Sequence, residues 1–195
     1  MKPLFTIHAG EYLVGSHIEE VYKNLRVWLP SRDTGVDLLV TNQQLKRAVS
    51  LQVKFSKDFL GSKGAGLSAN VATRIKSGGW WTFHYDKISN SPADLWVLVL
   101  YRFSHHDFDF VVIEPRRLLE LYRKLGRASG TIQSYIWVTE EGQCWETRDL
   151  RKTEQDATAI GGFRNPVRNL SGFLNNWRSL QRRLDPPKRK EARAG

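Results

Sequence analysis

Cysteine is almost missing from this chain: Cys144 stands alone. An internal disulfide and a cysteine-built zinc site both need partners, so both are excluded within one chain. Nothing groups Cys144 with an activating histidine, and it reads as a buried, inert thiol. Long apolar runs are absent too. No stretch approaches the roughly 20 residues needed to cross a bilayer, and Met1-Lys2-Pro3-Leu4-Phe5 is not followed by a signal-peptide core. The expectation is a cytoplasmic protein with no membrane partner. A phosphate-cradling P-loop is lacking as well, because glycine-rich Asp58 to Gly66 (DFLGSKGAG) does not have the G-x-x-x-x-G-K-[ST] spacing.

Negative charge is the other shortage. Asp and Glu number 20 against 30 Lys and Arg, for a net charge of +10. The imbalance is uneven: residues 151–195 hold 11 of those cations and only 4 of the anions. Basic surface of this kind attracts polyanions through phosphate contacts and counterion release, without carrying sequence information by itself. At 195 residues with 41% hydrophobic content, the chain is long enough for one substantial core and a small appendage.

The stretch that asks for chemistry is Gly35 to Lys57, GVDLLVTNQQLKRAVSLQVKFSK. It reads as two apolar strands joined by a polar turn. In the first, Val36, Leu38 and Val40 alternate with Asp37, Leu39 and Thr41; in the second, Val49, Leu51, Val53 and Phe55 alternate with Ser50, Gln52, Lys54 and Ser56. Gln52 and Lys54 therefore point the same way. If the strands pair with Asp37 on that side, a carboxylate, an amide oxygen and an ammonium converge. Mg²⁺ takes oxygen ligands and is commonly held by one or two carboxylates plus substrate phosphate oxygens. Asp37 would supply the charged ligand, Gln52 a neutral carbonyl oxygen, and Lys54 would orient water or offset charge developing on a phosphodiester. An ordinary hairpin with one solvated face is the other reading of the same pattern.

A helix precedes these strands. At about 100° per residue, Val14, Ile18, Tyr22 and Leu25 form one stripe of the segment Gly10 to Leu25, with Glu11 near its middle. A carboxylate on a buried stripe is costly unless paired or metal-bound. A first-turn glutamate is also what the helix dipole favours.

Together, Glu11 in the first turn of that helix, the turn Thr34-Gly35-Val36-Asp37, and the Gln52-Val53-Lys54 strand resemble the PD-(D/E)xK nuclease superfamily. The layout is similar to archaeal Holliday-junction resolvases and to homing endonucleases with the same Q-x-K variant, over roughly residues 8 to 115. The resemblance implies a metal-dependent DNA endonuclease with a restriction-endonuclease-like core. In it Asp37, Gln52 and Glu11 would be ligands of Mg²⁺, with Mn²⁺ as a substitute, and Lys54 the water-orienting group. Many members act as dimers, which makes a homodimer an expectation here. Two positions depart from the pattern: Val36 stands where proline is usual, and Gln52 where Asp or Glu is usual. The second removes a negative charge and leaves open a nuclease-fold module that binds DNA with little or no turnover.

For the rest of the chain the residues predict an edge strand at Arg26 to Pro30 and a flexible loop over 58–66. A helix is expected at about Ser68 to Lys76, ended by Gly78-Gly79. Strands follow at Asp94 to Tyr101 and Phe108 to Glu114, then a helix from Arg116 to Leu125. His105, His106, Asp107 and Asp109 read as a polar hairpin turn. Trp80 and Trp81 would serve as core or interface anchors, or stack on unpaired bases; with Trp177 they would anchor a partner protein if the chain were a protein-recognition module. A hairpin is expected over Thr131 to Val138 and Gln143 to Asp149, irregular chain over 151–170, and a last helix over Ser171 to Leu184.

The fold expected is α/β: a mixed sheet flanked by helices (1–130), a C-terminal hairpin and helix extension (131–184), and a basic disordered tail (185–195). Candidate DNA contacts are Arg32, Ser56, Lys57, Lys63, Arg182, Arg183, Lys188, Arg189 and Lys190.

Overall fold

A computed structural model describes residues 9–32, 34–57, 71, 73–102 and 107–185. Helix α1 (Ala9–Val21) turns Gly10, Val14 and Ile18 inward at a spacing of four residues. It stops short of the expected Leu25. The Leu25 amide closes a turn onto the Tyr22 carbonyl at 2.9 Å, and the chain leaves as strand β1 (Leu25–Trp28).

Strands β2 (Leu38–Asn42) and β3 (Ala48–Lys57) form the expected hairpin, with Leu38 opposite Leu51 and Val40 opposite Val49. After an excursion the chain returns as β5 (Leu95–Arg102), parallel to β3, and β6 (Asp107–Ile113), antiparallel to β5. The result is a five-stranded mixed sheet in the order β1-β2-β3-β5-β6. Its register is pinned where β3 meets β5: the Asp94 carboxylate accepts the Ser50 amide at 2.9 Å and the Ser50 hydroxyl at 2.8 Å.

The excursion differs from the expected helix. Strand β4 (Ile75–His84) occupies the positions expected to end a helix, and it runs through Gly78 and Gly79. A side chain at Gly79 would overlap the buried Trp81 ring, so this glycine makes room for a large neighbour rather than breaking an element. β4 pairs with β7 (Thr131–Thr139), and β7 with β8 (Cys144–Glu146), in a second, three-stranded sheet. The hairpin expected as an appendage after residue 130 thus shares a sheet with residues 75–84.

Each face of the large sheet is covered differently. Leu38, Val49, Leu51, Val53, Leu95, Val97 and Val99 pack with α1 and with a last short helix, α5 (Arg178–Leu184), through Trp177, Leu180 and Leu184. On the other face Trp96, Leu98, Leu100, Val111 and Ile113 meet Trp81 and Phe83 of β4, Ile136 and Val138 of β7, and Leu118 and Tyr122 of helix α3 (Pro115–Lys124). Helix α2 (Tyr85–Ser89) adds Ile88 to that core. Helices thus lie on both faces, as expected; what the expectation lacked is the three-stranded sheet that shares the second face with them.

Residues 151–170, expected to be irregular, contain helix α4 (Lys152–Ala159). Its first turn is closed by the Glu154 carboxylate, which accepts the Arg151 amide at 2.8 Å. The last helix is broken. A 3₁₀ turn at Ser171–Phe173 is followed by Asn175 in the left-handed region at φ 48°, and only then by α5. Asn175 works as a latch. Its amide donates to the Phe110 carbonyl, its side-chain oxygen accepts the Phe110 amide at 2.8 Å, and its Nδ2 donates to buried Asp109 at 3.0 Å. Asp109 also accepts from Lys76 and Ser77, and Asp107 pairs with Lys76 and Arg102, so these two carboxylates serve the sheet contact.

Glu146, fully buried on β8, is held between Arg127 at 2.9 Å and Arg168 at 2.5 Å. Burial pushes its carboxyl upward and the Arg127 guanidinium pulls it back. Cys144 is buried beside it in sequence, its thiol pushed up chiefly by burial, as expected of an inert cysteine. No helix among the described residues is long and apolar enough to cross a membrane.

Candidate functional site

The site is built at the open end of the β2–β3 ladder. β2 begins at Leu38, opposite Leu51, and the Asp37 amide still reaches the Leu51 carbonyl at 2.8 Å. The next amide along that edge of β3 belongs to Val53, and no strand residue faces it. Asp37 fills the gap with its side chain: Oδ2 accepts the Val53 amide at 2.7 Å. A buried amide without a partner would cost about 1–3 kcal/mol, so this bond fixes the half-buried carboxylate against the strand. Its other oxygen, Oδ1, makes no hydrogen bond with a described residue.

Continuing the β2–β3 register by one step puts Asp37 opposite Gln52. Alternation then puts Lys54 on the same face, two residues on. The parallel register with β5 sets Trp96 beside Gln52 and Leu98 beside Lys54. The Lys54 ammonium lies 5.6 Å from the centroid of the buried Trp96 ring, within cation–π range. Trp96 is itself fixed by its Nε1 donating to Ser91 Oγ at 2.8 Å, and Trp81 Nε1 donates to the Lys54 carbonyl at 3.2 Å. One indole therefore backs the Lys54 ammonium and the other holds the Lys54 backbone. Trp81 stood out in the sequence; Trp96 did not, although its place in an apolar strand parallel to the Q-x-K strand is the signal that would have found it.

Glu11 is brought to the same strand from the other side of the sheet. Its neighbour Gly10 is pressed onto β3, where an added Cβ would come within 2.8 Å of Phe55 Cβ and 3.2 Å of Val53 Cγ1. Val53 and Phe55 point away from Lys54, so α1 covers the face opposite Gln52 and Lys54. Glu11 is half-buried at the flank of the Gly10-Val14-Ile18 stripe rather than at its middle.

Several expected DNA contacts have other places. Ser56 is buried, its hydroxyl accepting the Trp80 amide at 2.8 Å and donating to the Trp80 carbonyl at 3.0 Å. It joins the two sheets and does not face solvent, because β4 covers the end of β3. Arg183 is engaged with Glu114 at 2.7 Å and Asp94 at 3.3 Å, which ties α5 to the sheet. Arg32 is exposed in the turn leading to Asp37, and Arg182 is exposed on α5. Trp80 is partly exposed and Trp81 buried, so base stacking is open only to the first. Lys57 closes β3 as a backbone position. Lys63, His105, His106, Lys188, Arg189 and Lys190, with the glycine-rich 58–66 segment, lie outside the described residues.

Among the described residues, no group of three or more His, Cys, Asp or Glu is assembled. What the site offers instead is one carboxylate oxygen of Asp37 and one amide oxygen of Gln52 beside a lysine. That donor set is hard and sparse. It fits a cation that completes its shell with water and phosphate oxygens, and it does not fit a soft metal needing sulfur or imidazole. Comparison with family models, with curated proteins and with solved structures found no match for the chain.

Proposed function

We propose that the chain is a metal-dependent endonuclease acting on DNA, built on a restriction-endonuclease-like core. The observation that carries this reading is the placement of Asp37, Gln52 and Lys54 around one ladder end, with Asp37 already clamped by Val53. A site whose ligand is fixed before binding loses little order when a cation and a phosphate arrive. The mixed sheet, with β3 central and parallel to β5, holds the Q-x-K strand rigid along its length.

Asp37 and Gln52 would hold Mg²⁺, with Mn²⁺ as a substitute, while Glu11 stays on the α1 side of β3 and outside this pair. The ion would polarise the scissile phosphodiester and lower the cost of generating a hydroxide nucleophile. The protein's own part falls to Lys54. Its ammonium, steadied over Trp96, donates hydrogen bonds that orient the attacking water and offsets charge gathering on the phosphate oxygens as the bond to the leaving oxygen breaks. Arg32, in the turn before Asp37, is placed to contact an adjacent phosphate, and the net charge of +10 supplies the long-range attraction.

Supercoiled plasmid incubated with the purified protein in Mg²⁺, Mn²⁺ or chelator tests the reading. Metal-dependent nicking or linearisation supports it. A second reading has its own observation: Gln52 leaves the face with a single carboxylate, which weakens cation binding. In that case the chain is a nuclease-fold module that binds DNA, and a gel shift unchanged by chelator, with intact plasmid, identifies it.

A further inference from the structure

We infer that the cleft between the Tyr22–Leu25 turn and α5 is a phosphate-binding site in which Arg178 and Arg182 grip one phosphoryl group. The cleft measures about 300 Å³ and is lined by Tyr22, Asn24, Arg178, Gln181, Arg182 and Asp185, with Leu25 beneath. It lies on the α1 and α5 side of the large sheet, away from the Gln52 and Lys54 face, and does not depend on the proposed endonuclease activity.

The helix treats its arginines unequally. Arg183 turns to the body and is spent on Asp94 and Glu114. Arg178 and Arg182, one helical turn apart, both face the cleft, and neither guanidinium makes a salt bridge or hydrogen bond with a described residue. Arg127 and Arg168, by contrast, are locked on Glu146, and Arg102 on Asp107. Two forked donors side by side at a concave surface match the geometry of phosphate oxygens.

The base of the cleft is stiff. Leu180 and Leu184 are buried, and Leu25 is packed in the same core, so the arginines project from a fixed platform. Burial raises the Tyr22 hydroxyl's pKa, so it stays a proton donor at neutral pH, and Gln181 offers an amide. The Asp185 carboxylate, held by Asn24 Nδ2 at 3.0 Å, closes one end. Its charge opposes a second phosphoryl group, and this limits the ligand to a single phosphate ester rather than a di- or triphosphate.

The source of that phosphate is either a free nucleotide or a nucleic-acid backbone, and the probes separate them. Deoxyadenosine monophosphate is titrated calorimetrically, and a labelled short DNA duplex by fluorescence anisotropy, both in chelator at low salt. The proteins are wild type, Arg178→Gln/Arg182→Gln, and the charge-matched control Lys87→Gln/Lys152→Gln, whose positions are exposed and outside the cleft. Thermal unfolding verifies that each variant is folded. Weakening of about tenfold or more is expected for the arginine pair, with the control near wild type. Loss of mononucleotide binding assigns a free phosphate ester; an effect on the duplex alone assigns a backbone phosphate. Equal weakening in both double variants, or no weakening in either, overturns the proposal. Because chelator is present throughout, failure here is separate from failure of plasmid cleavage.

Discussion

The Asp37 carboxylate takes the Val53 amide hydrogen at 2.7 Å, closing the first rung of the β2–β3 ladder beyond the reach of β2. Continuing the register puts Asp37 opposite Gln52, on the face of β3 that Lys54 shares. A structural need and a chemical opportunity thus meet in one residue, and substitutions can separate them. Asp37→Asn keeps an acceptor for Val53 and removes the charge. Its stability should stay within about 1 kcal/mol of wild type while metal-dependent cleavage is lost. Asp37→Ala should lose cleavage and about 1–3 kcal/mol as well, since a strand amide is orphaned. Urea unfolding and plasmid cleavage on the two variants check both halves.

Glu146 gives the largest expected stability effect. Removing it takes from half-buried Arg127 and Arg168 the fully buried carboxylate they share, and leaves Arg127 with the exposed carboxylate of Asp149. Breaking a buried pair from one side costs about 3–5 kcal/mol. Glu146→Ala should lower the urea midpoint by that equivalent, whereas Arg116→Ala, whose partner Glu120 lies on the surface, should change it by less than about 1 kcal/mol.

Gly79 tests the packing of the second sheet. A methyl group there would overlap the Trp81 ring, which is buried and stacked on Phe83. Gly79→Ala should cost about 1–3 kcal/mol by overpacking. Trp81→Leu introduced on top should recover part of that loss, and a double-mutant cycle measured by thermal unfolding reads the coupling.

His17 gives a pH dependence with a defined sign. Its imidazole packs against Phe110 and Trp177, and burial lowers its pKa below 6.5 despite Glu20 nearby. The unfolded chain therefore binds the proton more readily than the folded one. Stability from this group is complete above pH 6.5 and declines as the pH falls from there to the lower folded-state value. His17→Phe should flatten this part of the stability profile; an unchanged profile would remove the assignment.

The strands of the large sheet were legible in the sequence because one-sided burial writes a period of two into β2 and β3, and burial on both faces writes the apolar runs of β5 and β6. Asp37, Gln52 and Lys54 were legible for the same reason: a polar residue's place in the alternation fixes its face. What the sequence hid were relations between distant segments. Nothing local announces that β4 leaves to pair with β7, so Gly78 and Gly79 looked like a break and Ser56 looked available. α4 lacks an apolar stripe: KTEQDATA is held by its Glu154 cap and by buried Thr158 and Ala159. The break before α5 comes from Asn175 reaching Phe110 and Asp109, partners far away in the chain. Arg182 and Arg183 are neighbours in sequence, and only the fold shows that one faces a cleft and the other two carboxylates.

The proposed endonuclease activity rests on Lys54, steadied over Trp96. The most direct measurement is the rate of plasmid nicking in Mg²⁺ by wild type and Lys54→Ala, with DNA affinity measured on both in chelator. A loss of at least about a hundredfold in rate is expected, with affinity changed far less. Equal nicking by the two proteins, or nicking that persists in chelator, would contradict it.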